Sequence, residues 1–279
     1  MSTSLHDLLS PQRLTEIVDV GANPIDGDPP YSTMLAAKLC RVTGFEPQPE
    51  ALQKLEAMRG LNEVYLPYAV GDGAEHTLTV CRGSGMTSLF EPDPDTLNLF
   101  EYLKLLATVV DRVPVHSRKL DDITEIQHVD FLKIDAQGSE LAVMQSGATK
   151  LAEAVVVQAE VSFVTLYREQ PCLGEVDLEL RAQGFIPHCF AALKNWPITP
   201  FVDPARPFNQ LLEADLVYAR DFAHADSMSN EQLKHLALIV HWCYSSFDLA
   251  LHCVQLLEQR QVVEPGAQQR YRQLVAALG

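Results

Sequence analysis

The sequence is short of positive charge. Against 37 aspartates and glutamates it sets 21 lysines and arginines, a formal net charge of −16. Its basic clusters are no longer than Arg118-Lys119. A nucleic-acid binder neutralises phosphates with clustered Lys and Arg, and docking on anionic lipid needs the same, so both partner classes are set aside. No apolar run reaches the ~20 residues of a membrane helix. The opening MSTSLHDLLSPQR lacks the basic stretch and apolar run of a signal peptide, and a cytoplasmic location is expected. The six cysteines form no CxxC pair, which predicts small buried thiols in a reducing compartment. The nine histidines form neither HExxH nor HxH, so no metal is expected. There is no GxSxG elbow and no P-loop, which removes serine-hydrolase and NTPase readings, and the lack of GxGxxG after Val20 opposes an NAD-type Rossmann enzyme, a third reading.

What the chain does have is alternation. Ile17 to Val20 is a β-branched run entering a glycine turn, Gly21-Ala22-Asn23-Pro24. Helical spacing follows over Tyr31 to Leu39, a strand over Arg41 to Glu46, a proline-started helix over Pro49 to Met58, and a strand over Glu63 to Val70. His76 to Cys81 alternates like a hairpin arm, and Leu97 to Val110 is apolar at helical spacing. Strands are expected over Val129 to Asp135, Val155 to Val161, Phe185 to Phe190 and Leu211 to Tyr218, with helices opening at Glu140 and Asp177. Strands alternating with helices predict an α/β fold with a parallel sheet covered on both faces.

In such sheets ligands bind outside the carboxyl ends of the strands. Five places qualify. In Asp19-Val20-Gly21-Ala22-Asn23, a glycine lets backbone amides approach a ligand. Glu46 closes a strand, where a carboxylate can take both hydroxyls of a ribose or stand solvated beside a helix start. Asp72 can accept from an adenine amino group or serve only as a turn aspartate. Asp135 ends a buried strand, where a carboxylate needs a reason to be. It can act as a base with its pKa raised by burial, or pair structurally with Lys133, two positions away on the same strand face. Glu160 again places an acid where apolar residues dominate.

Together these segments resemble the FkbM-type S-adenosylmethionine-dependent methyltransferases. VDVGANP resembles the family's first motif, GFEPQPE its ribose segment and LPYAVGD its adenine-side segment. FLKIDAQGSELAVMQSG resembles its most diagnostic stretch, and VVVQAEVSF and LLEADLVYARD its late strands, so that the resemblance spans Thr15 to Asp221. It implies a seven-stranded, Rossmann-like class I methyltransferase sheet whose last strand is antiparallel, and S-adenosyl-L-methionine as cofactor. Carried over, Gly21 and Asn23 lie at the methionine part, Asp19 supports that loop, Glu46 holds the ribose and Asp72 the adenine side. Asp135 is the general base or acceptor-orienting group, with Gln137, Glu140 and Glu160 as second choices. The chain departs from the family over Pro24 to Ser32, where an insertion stands and Pro24 offers no amide hydrogen.

From Ser229 the character changes. Leu233, Leu236, Val240, Tyr244, Phe247, Leu251 and Val254 recur at helical spacing, Ser245-Ser246 divides two helices, and Pro265 starts a last one through Leu278. The expected organisation is a lead-in (1–14), a methyltransferase domain (15–222) and a helical extension (223–279) packed on the domain or on a second copy of the chain. The function expected from the resemblance is O-methylation of a hydroxyl on a sugar, glycan or secondary metabolite. The alternatives are N-methylation and a non-catalytic cofactor-binding or assembly protein that works through the C-terminal helices.

Overall fold

In a computed structural model the chain is described over residues 4–23, 27–201 and 210–277. Helix α1 (Leu5–Leu9) leads into β1 (Thr15–Val20), α2 (Ser32–Ala36), β2 (Cys40–Phe45), α3 (Pro49–Met58) and β3 (Glu63–Leu66). Strands β4 (Glu75–Cys81) and β5 (Val109–His116) form a separate antiparallel ribbon that encloses the short helices α4 (Pro94–Leu97) and α5 (Glu101–Leu106). Then come β6 (Phe131–Ile134), α6 (Glu140–Ser146), α7 (Ala148–Leu151), β7 (Val156–Ser162), α8 (Leu173–Ala182), β8 (Phe185–Trp196) and β9 (Gln210–Arg220). Three helices close the chain, α9 (Asn230–Tyr244), α10 (Phe247–Gln259) and α11 (Ala267–Ala276).

The sheet has seven strands in the order β3-β2-β1-β6-β7-β9-β8. The pairings among β3, β2, β1, β6 and β7 are parallel, and β9 runs antiparallel to both its neighbours. This is the class I sheet expected from the resemblance, with its last strand reversed. The order turns back on itself between β1 and β6, so a crevice opens outside their carboxyl ends.

Burial follows from the alternation along each strand. Ile17, Val42, Phe131, Val156 and Val217 face one core, and Val18, Leu132, Ile134, Val157 and Ala159 face the other, where α6 and α8 contribute Met144 and Leu180. The C-terminal helices cover the first face. Leu233, Leu236, Val240 and Val254 are fully buried there, in one core with Leu5 and Leu9 of α1. Four of the seven stripe residues are therefore covered within the chain, while Tyr244, Phe247 and Leu251 are half-buried. Helix α9 starts on a Ser229–Gln232 capping box and stops where Ser245 turns left-handed (φ 52°), the division expected at Ser245-Ser246. Leu278, the expected end of the last helix, lies outside the described residues.

Three expectations are corrected. Leu97 to Val110 is not one helix. It holds the end of α4, all of α5 and the start of β5, whose residues pair with β4 far away in sequence. Strand β3 ends at Leu66 rather than Val70, because Pro67 has no N–H for the ladder. Strand β8 continues past Phe190 to Trp196, carried by five further paired positions on β9. All six cysteines are free thiols.

Candidate active site

The site is built where the loops after β1 and β6 touch. The Asp135 N–H donates to the carbonyl of Val20 at 2.9 Å, and the Gly21 N–H donates to the carbonyl of Phe45 at 3.0 Å. Gly21 has φ +78°, and a Cβ there would sit 1.8 Å from the Asp135 carbonyl oxygen. The glycine is thus required by close approach of two backbones. Its amide is spent on Phe45 and does not point at a ligand, which corrects that part of the motif reading. Asn23 lines the cleft beside it, and Pro24 lies outside the described residues.

A cavity of about 460 Å³ runs along the carboxyl edge of the sheet. Topology orders its wall. Tyr68 to Val70 follow β3, Glu46 follows β2, Gly21 follows β1, Asp135 follows β6, Glu160 stands on β7, Glu213 on β9, and Lys194 and Trp196 on β8. Glu46 is buried (2% exposed) and one of its oxygens accepts from the Gln48 N–H at 2.8 Å. Burial, with the charges of Asp19 and Asp135 adding to it, raises its pKa against that hydrogen bond. Phe45 and Tyr68 stack beside it at 6.3 Å. Ser139 Oγ, buried in the same wall, has no hydrogen-bond partner among the described residues. A cavity of this size, apolar at one end with a few convergent polar groups, has the form of a small-molecule site.

The centre is a carboxylate cluster held by one amide. Gln137 Nε2 donates to Asp135 Oδ1 and to Glu160 Oε2, each at 2.8 Å. Gln137 Oε1 accepts from the buried Tyr167 hydroxyl at 2.9 Å, and Lys194 Nζ donates to Glu160 Oε1 at 2.5 Å. Burial pushes both acids up. At Asp135 the charges of Lys133 and Lys194 and the Gln137 hydrogen bond outweigh it, so its pKa is lowered. At Glu160 the neighbouring charges of Asp135 and Glu213 add to burial, so its pKa is well raised. The two carboxylates are thus pushed apart, Asp135 towards the more acidic and Glu160 towards the less acidic side. The expectation that burial raises Asp135 is reversed by the two lysines.

Glu140 sits behind this pair. Its carboxylate accepts from the backbone N–H of Ala136 at 2.8 Å and of Gly138 at 3.0 Å, fixing a turn in which Gln137 (φ 49°) and Gly138 (φ 105°) are both left-handed. Oxygens of Asp135, Glu140 and Glu160 lie within 4.8 Å of one another, the spacing of a cation site. Backbone amides, Gln137 and Lys194 already donate to this group of carboxylates.

Two further candidates lie away from the cavity. Asp19 accepts from the Tyr31 hydroxyl at 2.6 Å and from Lys133 Nζ at 3.1 Å. It faces Lys133 directly across the β1–β6 pairing, so Lys133 pairs with Asp19 rather than with Asp135. Asp72 accepts from the Ala74 N–H, from Ser117 Oγ and from His76 Nε2 at 2.7 Å, and the His76 bond is the main cause that lowers its pKa to about 2. It is a turn aspartate outside the cavity wall, and the neighbouring Ala69 and Val70 line the cavity instead. Sequence reading missed Lys194, Trp196, Tyr102 and Tyr167. They come from β8, α5 and a loop, and no local signal marks them.

A parallel sheet with a ligand cleft at its switch point, an acid after β2 and a charged pair after β6 and on β7, defines an α/β enzyme built for a nucleoside-type cofactor. A family model for the methyltransferase FkbM domain matches residues 19–187. The chain belongs to the FkbM methyltransferase family, whose domain depends on S-adenosylmethionine. No curated protein matches it. Solved structures similar to it include magnesium protoporphyrin IX methyltransferase from Synechocystis PCC 6803 with bound SAM, at 10% identity and TM-score 0.39 over 75% of this chain and 71% of that one. Another is a precorrin-6y C5,15-methyltransferase from Geobacter metallireducens GS-15, at 13% identity and TM-score 0.35 over 77% of this chain and 85% of that one. Likenesses this weak carry nothing about the substrate. No helix among the described residues is long and apolar enough to cross a membrane.

Proposed function

We propose that the protein O-methylates a hydroxyl of a sugar, glycan or other secondary metabolite. The observation that carries this reading is the Asp135–Gln137–Glu160 cluster, in which one amide holds two carboxylates at the middle of the cleft, the first pushed down in pKa and the second up. When bound, S-adenosylmethionine supplies an electrophilic methyl group on a sulfonium. Glu46 would hold the ribose hydroxyls, and Gly21 and Asn23 would shape the wall near the methionine part. Phe45, Tyr68 and Val70 offer an apolar slot of the kind an adenine ring takes. Asp135 would orient the acceptor hydroxyl and receive its proton. Lys194 and Gln137 would fix the orientation of Glu160 beside it. Asp19 would act at one remove, through Lys133 and Tyr31, and we assign no cofactor contact to Asp72.

The test is methyl transfer from labelled S-adenosylmethionine to a panel of glycosides and phenols, with Asp135→Asn beside the wild type. Asparagine keeps the shape and cannot take a proton at neutral pH. The variant is expected to bind S-adenosylhomocysteine normally and lose about 10²–10⁴-fold in turnover, the usual range for a general base. Normal turnover in Asp135→Asn would remove the base role. Methylation of amines alone would replace O-methylation with N-methylation.

A further inference from the structure

The cleft is longer than a cofactor half alone. From β2 to β8 it crosses five strand spacings, about 24 Å at ~4.8 Å each. The switch point lies at the β1/β6 boundary, so Glu46 and Gly21 belong to one half, and Glu213, Lys194 and Trp196 to the other. Asp135 and Glu160 stand between the halves.

The second half has a distinct chemistry. Its floor, Glu213 and Lys194 next to Glu160, is polar. Its wall is an aromatic stack: Tyr102 of α5 lies against Trp196 of β8, with centroids 5.9 Å apart and planes 17° from parallel. Tyr102 remains 60% exposed although both rings line the cavity. Large aromatic side chains left open over a polar floor suit a ligand with an apolar face and polar edges. A pyranose and a hydroxylated aryl ring both have that form. An acyclic polyol has the hydroxyls and no face.

We infer that the β7–β9–β8 half of the cleft is the acceptor subsite, and that it takes a hydroxylated ring laid on the Tyr102–Trp196 stack with a hydroxyl directed at Asp135. This rests on the methyltransferase reading of the cleft and adds the residues that set acceptor class. Tyr102 and Trp196 are then specificity-determining, and the polar floor meets the ring's remaining hydroxyls.

The experiment is calorimetry on the full-length protein saturated with S-adenosylhomocysteine. The probe is phenyl β-D-glucopyranoside, which carries both ring types. Methyl β-D-glucopyranoside, catechol and sorbitol are the arms that separate sugar, aryl and acyclic recognition. The phenyl glucoside and at least one single-ring probe are expected to bind, and sorbitol is not. Tyr102→Ala and Trp196→Ala should each weaken the phenyl glucoside by about tenfold, the upper end for an aromatic contact. Trp196→Phe, which keeps a ring, should restore most of the loss, and S-adenosylhomocysteine affinity should not change in any variant. Unchanged probe binding in both alanine variants overturns the subsite. So does sorbitol binding as well as the rings, or no ring binding to the loaded wild type. If S-adenosylhomocysteine itself does not bind, the underlying reading of the cleft fails instead, and the two failures are told apart in one titration series.

Discussion

The carbonyl oxygen of Asp135 occupies the place where a side chain at Gly21 would begin, 1.8 Å from an ideal Cβ. The two loops that shape the cleft are therefore locked to each other through backbone, with the Asp135 N–H bound to Val20 on the same side. Asp135 is aimed by this contact as much as by its own strand.

Gly21→Ala tests that lock. Alanine meets both the steric clash and a left-handed backbone (φ +78°). Strain of this kind costs of order 1–3 kcal/mol before the clash is relieved. The variant should lose at least about that much unfolding free energy in urea and bind S-adenosylhomocysteine poorly, because relief of the clash must move Asp135. Wild-type stability and affinity in Gly21→Ala would show that the loops are free to part.

Glu46→Ala tests the cofactor half. The carboxylate is buried on the cleft wall, and one of its oxygens accepts from the Gln48 N–H. Loss of a charged hydrogen-bonding partner costs about 1.5–3 kcal/mol, roughly ten- to a hundredfold in affinity for S-adenosylhomocysteine. Since burial raises the Glu46 pKa, wild-type affinity should also fall as the solution is acidified through that raised value, and Glu46→Ala should lack this dependence. An unchanged dissociation constant in the folded variant would remove Glu46 from the site.

Glu140→Gln tests the turn behind the acid pair. Burial pushes Glu140 up from 4.5 to about 7, against the hydrogen bonds from Ala136 and Gly138. Between those values the folded protein holds a proton that the unfolded chain has lost. The contribution of this group is thus fully present below the unfolded value and is lost as pH rises through the folded one. The effect is on the order of 3 kcal/mol across that window. Glutamine keeps an oxygen for the two amides and does not titrate. Stability measured at intervals from pH 4 to pH 8 should decline less steeply in Glu140→Gln than in the wild type. Parallel curves would mean that the carboxyl ionises normally.

How much of this was legible in the sequence follows from range. Ile17 to Val20, the strand running into Lys133-Ile134-Asp135, and the run from Val155 carry their burial in their own composition, and the sheet is built from them. Glu46 and Asp135 were legible because strand ends are ligand positions in any such sheet. Asp72 was legible only as a choice between an adenine contact and a turn, and what decides for the turn is its bonding to His76 and to Ser117, the latter 45 residues away. The Asp19–Lys133 pair depends on the register between β1 and β6, 114 residues apart. Lys194 reaches Glu160 only because β8 and β9 pair at the far edge, and it is this lysine, with Lys133, that turns Asp135 from a raised acid into a lowered one.

The C-terminal helices give the last test. Sequence periodicity marked Leu233, Leu236, Val240 and Val254 as a stripe that must be covered, and the structure covers it with the β1–β2–β6 face of the same chain. Leu236 is 0% exposed in the middle of that contact. Leu236→Ala removes three buried carbons and leaves a cavity, which costs about 2–5 kcal/mol. A chain ending at Asp226 would leave Ile17, Val42 and Phe131 facing water, an apolar area of the kind that aggregates. Leu236→Ala should therefore lower the midpoint of urea unfolding as a core substitution in the sheet does, and the shortened chain should be recovered only in aggregated form. Light scattering separates the two roles that periodicity left open. Cover within the chain predicts that Leu236→Ala loses stability without changing oligomeric state, whereas dissociation of a larger species on mutation would move the stripe to an interface between copies. A shortened chain that stayed soluble with an unchanged midpoint would deny the helices any part in holding the sheet.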